Sequence, residues 1–375
     1  MKTLRYGGAV VLACGFLSAC TETKQESDLA TYRAKIVSEN VPNGINPNIH
    51  NAGILGFGNG IGLFNAPCLN CIPNSQQIGI HNGTDWAWVQ GEGFPLSKCT
   101  SADGTAVSGL TYDGSLIRGY LGPNKKPISG TDFRGVSCEM PSTTAGTSIT
   151  VKFDEIALDT AFAHVKDVWT YQMSAKTNKG DAWPSICTDA AGAPVPMVPV
   201  VGSYWDLDTG NRVDNEKTMT MGCVSGAIGK CVRIGYRNWA TGTSCKGWER
   251  DRDKKKDNCE QVPLKDHHQA CTRMIRADYC GNGQPHTLNG TLISVMDYLQ
   301  PVILLDEDKW QIEARWTPTG AICLTEPRHP ELWTDGGCKD SKGKLTPFRK
   351  CEPYEVQRGL IVSAFEENSP KPGKK

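Results

Sequence analysis

The sequence predicts an α+β, strand-dominated fold, in which a β-rich N-terminal region precedes a disulfide-stapled domain of hairpins and two short helices. The 375-residue chain has 40 glycines but only 29 aromatic residues, a composition that favours turns and short strands. Its sixteen cysteines are more than a cytosolic protein of this length usually carries, so disulfides are expected. Most apolar runs alternate with polar residues, and helical spacing is evident in two segments.

Charge and hydrophobicity exclude two classes of protein. Lys and Arg number 40 and so do Asp and Glu, which argues against a nucleic-acid partner held by bulk electrostatics. The hydrophobic fraction of 39% suffices for a core but is too low for a protein with many membrane spans.

The N-terminus reads as an export signal. A basic start and a short apolar run, Gly7 to Leu17, end in small residues before Cys20, as in the lipobox of bacterial lipoproteins. We therefore expect residues 1–19 to be a lipoprotein signal peptide and Cys20 to be acylated, which would anchor the chain in the bacterial envelope. Thr21, rather than Asp, after that cysteine favours the outer membrane. An ordinary cleaved signal or a chance apolar N-terminus is the alternative.

The cysteine count then divides cleanly. Cys14 would leave with the signal and Cys20 would carry lipid, so an even set of fourteen remains for bridges. The disulfide candidates are Cys68, Cys71, Cys99, Cys138, Cys187, Cys223, Cys231, Cys245, Cys259, Cys271, Cys280, Cys323, Cys338 and Cys351.

Spacing alone suggests three local pairs, although the connectivity cannot be fixed from sequence. These pairs are Cys99–Cys138, Cys245–Cys259 and Cys338–Cys351. Cys231 and Cys271 fall on the two predicted helices, where they could bond each other or a nearby strand.

Composition divides the mature chain into four parts. They are a flexible tether over residues 20–51, a Gly-rich β region over 52–145, a disulfide-rich α+β region over 146–360 and a C-terminal tail over 361–375. Within the second part, Asp103–Gly109 is repeated as Asp113–Gly119 and more loosely as Ser129–Gly135, which predicts a β-meander.

Alternating segments predict the other strands, and Ala190–Pro199 is expected to be a loop because it is rich in Pro, Ala and Gly. The strand candidates are Asp85–Val89, Ile149–Phe153, Val168–Met173, Val200–Trp205 and Thr218–Val224.

Two helices and two hairpins are expected after these strands. Ser225 could cap a short helix ending before Gly235, and Pro263 could open a longer helix that Gly281 stops. Asn289-Gly290 is a strong hairpin signal between Pro285–Leu288 and Thr291–Met296. A second hairpin would join Trp310–Trp316 to Ala321–Leu324 through Pro318-Thr319-Gly320.

A stretch of about residues 218–325 carries motifs of a known family. Ala277-Asp278-Tyr279-Cys280 follows His268–Arg276, and Gly226–Arg233 precedes both. This stretch, with an extension back to Ile149 left open, resembles the ADYC domain of secreted bacterial proteins, which is named after the four-residue motif. The family has no established activity, so the resemblance implies a domain but no catalytic residue.

Three motif-region residues could in principle carry chemistry. Asp278, Cys280 and His286 lie within nine residues of one another and are the parts of a cysteine nucleophile system. A structural disulfide at Cys280 is the competing and favoured interpretation, because the exported chain has many other cysteines.

Metal and redox sites are weaker candidates. His267 and Cys271 share a helix face and could bind zinc with Cys280 or His268, but a second ligand pair is missing, so no metal and no cofactor are expected. Cys68-Leu69-Asn70-Cys71 could be a redox pair, although a local structural bridge fits its Gly- and Asn-rich surroundings better.

Ten tryptophans in an exported chain could also stack on sugars. Trp86 and Trp88 share one strand face, as do Trp310 and Trp316, but filling of the core is the favoured interpretation. No nucleophile elbow, phosphate loop or dinucleotide fingerprint is present. The sequence therefore predicts a non-catalytic envelope lipoprotein that binds a protein or glycan partner, with an envelope hydrolase or transferase using Cys280, His286 and Asp278 as the alternative.

Overall fold

The fold is that of a computed structural model, which describes residues 78–81, 86–89, 97–140, 149–160, 167–177, 183–187, 193–206, 209–224, 226–245, 259–287, 293–297, 299, 310–352 and 359–366. The predicted signal, the lipidation site Cys20, the tether and the Cys68–Cys71 pair lie outside these residues. No helix in the described ranges is both long enough and apolar enough to cross a membrane.

A nine-stranded antiparallel sheet dominates the first half of the described chain. Its order is β11-β10-β9-β8-β7-β3-β4-β5-β6, and β1 and β2 form a separate hairpin. The strands are β1 (Ile78–His81), β2 (Trp86–Val89), β3 (Ser97–Thr100), β4 (Ala106–Asp113), β5 (Leu116–Leu121), β6 (Lys126–Ser129), β7 (Ser137–Met140), β8 (Ile149–Leu158), β9 (Trp169–Thr177), β10 (Met197–Trp205) and β11 (Arg212–Cys223).

The predicted meander is confirmed as β4-β5-β6 at one edge of this sheet. Asp113 pairs with Leu116 across the first turn, where Gly114 adopts a positive φ of 57°. The predicted division after residue 145 falls inside the sheet, because β7 pairs with β8. The same sheet therefore joins the repeat region to the segments that follow it.

Two helices and a four-stranded sheet of order β14-β19-β15-β16 form the second half. Two further strand pairs, β12-β13 and β17-β18, complete it. The elements are α1 (Ala227–Arg233), β12 (Thr241–Cys245), β13 (Cys259–Pro263), α2 (Lys265–Arg276), β14 (Ser294–Asp297), β15 (Trp310–Thr317), β16 (Gly320–Leu324), β17 (Cys338–Lys339), β18 (Leu345–Thr346) and β19 (Ile361–Glu366).

Two hydrophobic cores hold these layers, and β10 contributes to both. Met197 belongs to the core of the large sheet, where Phe153 lies between Phe133 and Tyr171 with edge-on rings at 5.8 and 5.9 Å. Val198 on the same strand belongs to the second core, which both helices and the four-stranded sheet enclose. Burial on both faces explains why this strand is apolar without clean alternation.

Several predicted boundaries differ from the structure. Pro263 ends β13 opposite Thr241, so α2 begins two residues later. Met197–Pro199 are part of β10 and not of a loop. Ser294–Asp297 pairs with β19 and not with a preceding hairpin arm. Residues 285–287 form no strand, so the first arm of the predicted Asn289-Gly290 hairpin is wrong.

The predicted C-terminal tail also begins too early. Ile361–Glu366 is β19, which lies between β14 and β15 and buries Ile361, Val362 and Ala364. A chain end can form an inner strand when its residues are apolar, and the alternation that marks half-buried strands is then lost.

Five disulfides link the described residues. They are Cys99–Cys138, Cys187–Cys223, Cys231–Cys271, Cys280–Cys338 and Cys323–Cys351. The predicted Cys99–Cys138 pair is confirmed, and of the two alternatives left open for Cys231 and Cys271 the structure shows the bond between the helices. Cys259 is also disulfide-bonded and lies directly opposite Cys245 in the β12-β13 pair, and the Cys245–Cys259 bond itself stays a prediction.

The predicted Cys338–Cys351 pair is wrong. Both cysteines bond to distant elements, because Cys338 lies against the end of α2 and Cys351 against β16. Packing of helices and strands, which spacing does not report, decided these pairings. Disulfides in this number indicate an oxidising compartment, extracellular or periplasmic.

Candidate functional site

The residues predicted to carry chemistry lie where α2 ends. Ala277 adopts the left-handed conformation, with φ of 51° and ψ of 42°. Its N–H donates to the carbonyl of Met274 and the N–H of Asp278 donates to that of Arg273. These two bonds make a Schellman motif, in which glycine is usual. Ala277 is fully buried, so a small side chain is required there.

The carboxylate of Asp278 is buried and its oxygens are occupied. Arg273 donates to it, and the backbone N–H groups of Asn282 and Gly283 donate at 3.1 and 3.0 Å. A second guanidinium, that of Arg276, lies 3.8 Å away. Burial lowers the pKa of Arg276 to about 10, although the charge of Asp278 opposes that effect. The carboxylate of Asp278 therefore holds the loop after α2 close to the buried guanidinium groups of Arg273 and Arg276.

Arg273 extends this arrangement to a distant loop. Its guanidinium donates to the carbonyl of Thr209 at 2.7 Å and to the side-chain oxygen of Asn211 at 2.5 Å. Its Nε donates to the carbonyl of Pro318 at 3.2 Å. One side chain therefore ties α2 to the β10-β11 connection and to the β15-β16 turn.

Tyr279 reaches a second buried polar network. Its hydroxyl donates to Oε1 of Glu313 at 2.6 Å, and burial raises its pKa well above the usual value. Arg328 binds both oxygens of Glu313 at 2.7 Å, and Ser363 donates to Oε2 at 2.7 Å. Trp316 donates in turn to Ser363 at 2.8 Å. This network connects β15, β19 and the segment after β16, and Nη1 of Arg328 is its one atom buried without a hydrogen-bond partner.

Cys280 is bonded to Cys338, so its sulfur is not a thiol in this structure. The nucleophile alternative requires a free thiolate, and the disulfide removes it. Gly281 follows at φ of 65°, and a Cβ there would lie 1.9 Å from the carbonyl oxygen of Thr319. The chain after the motif is therefore pressed against the β15-β16 turn.

His286 contacts the ADYC motif through Ala277 and Tyr279. Its Nδ1 lies 3.0 Å from the carbonyl oxygen of Ala277, and since a carbonyl only accepts, Nδ1 carries the proton. The ring stacks on Tyr279 and meets Trp333 edge-on at 4.7 Å. Burial lowers the pKa of His286, so the imidazole is neutral at pH 7. It acts as part of an aromatic cluster.

The proposed zinc ligands are also used otherwise. Cys271 is bonded to Cys231, His268 contacts the carbonyl of Ile228 at 3.1 Å through Nε2, and His267 stacks on Tyr236. Within the described ranges, no three His, Cys, Asp or Glu side chains are grouped so as to hold a metal ion.

Five of the six tryptophans with described side chains lie in or against the two cores, and the sixth, Trp183, is partly exposed beneath the ammonium groups of Lys152 and Lys176. Trp316 and Trp205 are fully buried, and the indole N–H of Trp205 donates to Gln269 at 2.7 Å. The side chains of Trp86, Trp88 and Trp310 lie outside the described set, so for them core filling stays the prediction and sugar stacking the alternative.

Sequence reasoning missed the buried acids. Alternation along β15 places Glu313 on the face opposite Trp316 and predicts that its side chain is exposed to solvent. Glu313 is instead fully buried, and so is Arg315. Asp297 is likewise buried and accepts a hydrogen bond from the hydroxyl of Tyr236 at 2.7 Å. The sequence does contain one signal for such residues, which is a charged residue within a predicted strand. When both faces of the sheet are covered, a charged residue at such a position is buried and needs a polar partner.

Comparison with known proteins identifies one family. The family model described as the ADYC domain matches residues 130–330, which is more than half of the chain. The match begins before the predicted start near residue 218 and also before Ile149, to which the sequence resemblance leaves an extension open. No curated protein and no solved structure matches the chain. The matched range covers more than half of the chain and includes all four motif residues, so the chain belongs to the ADYC domain family.

Proposed function

We propose that this chain is a non-catalytic, disulfide-stabilised lipoprotein of the bacterial cell envelope. In this proposal it is exported, held at the outer membrane by lipid on Cys20, and raised from the bilayer by the tether over residues 20–51. Its stapled body then presents a rigid surface to an envelope protein or glycan.

The non-catalytic part of the proposal is supported by the structural contacts that the candidate catalytic residues make. Cys280 is in a disulfide and Asp278 is buried against Arg273. His286 donates to a backbone carbonyl and not to either of them. Each group that could act as nucleophile or base therefore supports the fold, and a catalytic role would require all three to exchange partners.

Rigidity supports the binding part of the proposal. A surface held by disulfides loses little conformational entropy when it binds a partner, and that saving favours affinity. The two buried polar networks centred on Asp278 and Glu313 hold the same region from inside.

The chemical state of Cys280 tests the catalytic alternative directly. Native, unreduced protein is treated with iodoacetamide, digested without reductant and analysed by mass spectrometry. We expect a cross-linked Cys280–Cys338 peptide and no alkylated Cys280. Recovery of alkylated Cys280 from native protein would contradict the proposal and restore the hydrolase or transferase alternative.

The anchor is tested separately. Metabolic labelling with a fatty acid should mark the wild type, and Cys20→Ser should abolish the label and leave the chain uncleaved before residue 20. Cys14→Ser is the matched control, because Cys14 lies inside the predicted signal and should not affect labelling. An unlabelled wild type would overturn the lipoprotein assignment.

A further inference from the structure

A short basic hairpin projects from the second half of the molecule. We define the basic hairpin as residues 338–351, which contain β17 and β18. Between its two cysteines it carries five basic residues and one acid, in a chain whose formal net charge is zero. The basic residues are Lys339, Lys342, Lys344, Arg349 and Lys350.

The basic hairpin is held rigidly at both ends. Cys338 is bonded to Cys280 at the end of the ADYC motif, and Cys351 is bonded to Cys323 on β16. At the tip, the carboxylate of Asp340 accepts the backbone N–H groups of residues 342 and 344, both at 2.9 Å. The only acid of the hairpin therefore shapes the turn that displays the neighbouring lysines.

The basic hairpin combines exposed charge with exposed apolar surface. Lys342, Lys344 and Lys350 are exposed and have no acidic partner among the described residues. Lys339 is paired with Asp335 at 3.0 Å, so the argument does not depend on it. Leu345 follows Lys344 in sequence, lies opposite Lys339 in the β17-β18 pair and is 43% exposed, in a chain with few large exposed apolar side chains among its described residues.

We propose that the basic hairpin docks on the surface of an anionic phospholipid membrane. Basic side chains near such a surface are attracted by its negative potential, and an adjacent leucine gains free energy by entering the interfacial region. A soluble polyanion would use the lysines but would gain nothing from Leu345. The proposal rests on the proposed lipid anchor only for bringing the hairpin close to a bilayer.

The test uses the chain from Thr21 onward, exported behind an ordinary cleavable signal so that its disulfides form without lipid. Every described residue is retained in this chain. Its binding is measured by co-sedimentation with vesicles of phosphatidylglycerol and phosphatidylethanolamine, and with vesicles of phosphatidylcholine. We expect binding to the anionic vesicles alone, weakened by added salt.

Charge reversal locates the contact. Lys342→Glu with Lys344→Glu should weaken binding by about 30-fold or more, since two attractive charges are lost and two repulsive ones are added. Lys125→Glu with Lys126→Glu is the matched control, because this exposed pair lies at another hairpin turn. The control variant should bind as the wild type does.

Leu345→Ala separates a membrane from a soluble polyanion. We expect it to weaken vesicle binding about threefold or more, because the lost side chain no longer enters the interface. Equal loss in both lysine pairs, binding to neutral vesicles, or unchanged binding of Leu345→Ala with strong competition by polyphosphate would overturn the proposal. Because the tested chain carries no lipid, failure of the acylation experiment leaves this result independent.

Discussion

The guanidinium of Arg273 and the carboxylate of Asp278 form a buried ion pair across the end of α2, with both side chains almost completely inaccessible to solvent. The pair lies within the Schellman motif that ends the helix, so one acid both caps the turn and neutralises a buried cation. The contact explains why an aspartate follows the left-handed residue in the ADYC motif.

Removal of the charge at Asp278 should be strongly destabilising. Asp278→Asn keeps the shape but leaves Arg273 and Arg276 buried without an anion, and breaking a buried pair from one side typically costs about 3–5 kcal/mol. Urea unfolding followed by tryptophan fluorescence measures the loss. Asp113→Asn, in the exposed pair with Arg118, is the control and should leave the unfolding midpoint nearly unchanged. A small effect at both positions would show that the buried pair does not stabilise the fold.

Gly281 should tolerate no side chain. Its positive φ disfavours any L-residue, and the Cβ of alanine would fall on the carbonyl oxygen of Thr319. The two effects together predict that Gly281→Ala lowers the free energy of unfolding by about 3 kcal/mol or more. Gly104→Ala provides the comparison, because Gly104 also has a positive φ but open space around it. Equal losses in the two variants would mean that backbone strain, and not the close approach, limits Gly281.

The sequence predicts the local elements of this fold better than their long-range pairing. The meander, the β15-β16 hairpin and the two helices follow from turn residues and periodicity, which are local signals. β19 lies between β14 and β15, and its pairing with β14 joins residues that are more than sixty positions apart in sequence. Nothing in the local pattern reports such a contact.

The same distinction applies to the motif. Its four residues can be found from sequence, but the role of each depends on partners brought by folding. Tyr279 meets Glu313 and Cys280 meets Cys338, and neither partner is marked by spacing. From sequence alone, Cys280 could be assigned two alternative roles, a catalytic nucleophile or a disulfide partner. The disulfide is favoured because an exported chain with an even number of cysteines can pair all of them.

Acid should destabilise the protein through His268. Burial lowers its pKa to about 3 from an ordinary value near 6.5, its Nδ1 has no hydrogen-bond partner, and the charge of Arg212 acts in the same direction. The unfolded chain then binds more protons between these values, so stability is complete above about pH 6.5 and falls as the pH drops toward 3. His268 alone should cost about 2.5 kcal/mol between pH 7 and about pH 4.5.

Urea unfolding at a series of pH values measures this slope. Nearby His267 also has a lowered pKa from burial, opposed by Asp297 and Asp266, and adds to the slope in the same direction. His268→Gln should flatten the dependence, because glutamine can donate to the carbonyl of Ile228 but does not titrate. A slope identical to that of the wild type would exclude His268 as its source.

The disulfide between Cys280 and Cys338 should stabilise the basic hairpin more than the rest of the molecule. It closes a separation of 58 residues, for which chain entropy predicts about 4 kcal/mol, and the interlaced Cys323–Cys351 bond leaves that loop almost unchanged in length. We therefore expect Cys280→Ala with Cys338→Ala to cost about 2–5 kcal/mol.

Hydrogen exchange locates that loss. In the double variant, the amides of residues 340–346 should exchange faster than in the wild type, because β17 and β18 form a two-residue ladder that cannot hold its register unaided. The amides of β4 and β5, at the far edge of the large sheet, should keep their protection. Uniform loss of protection in both regions would mean that this bond supports the whole fold, and the basic hairpin would then owe its rigidity to Cys323–Cys351 and the Asp340 turn.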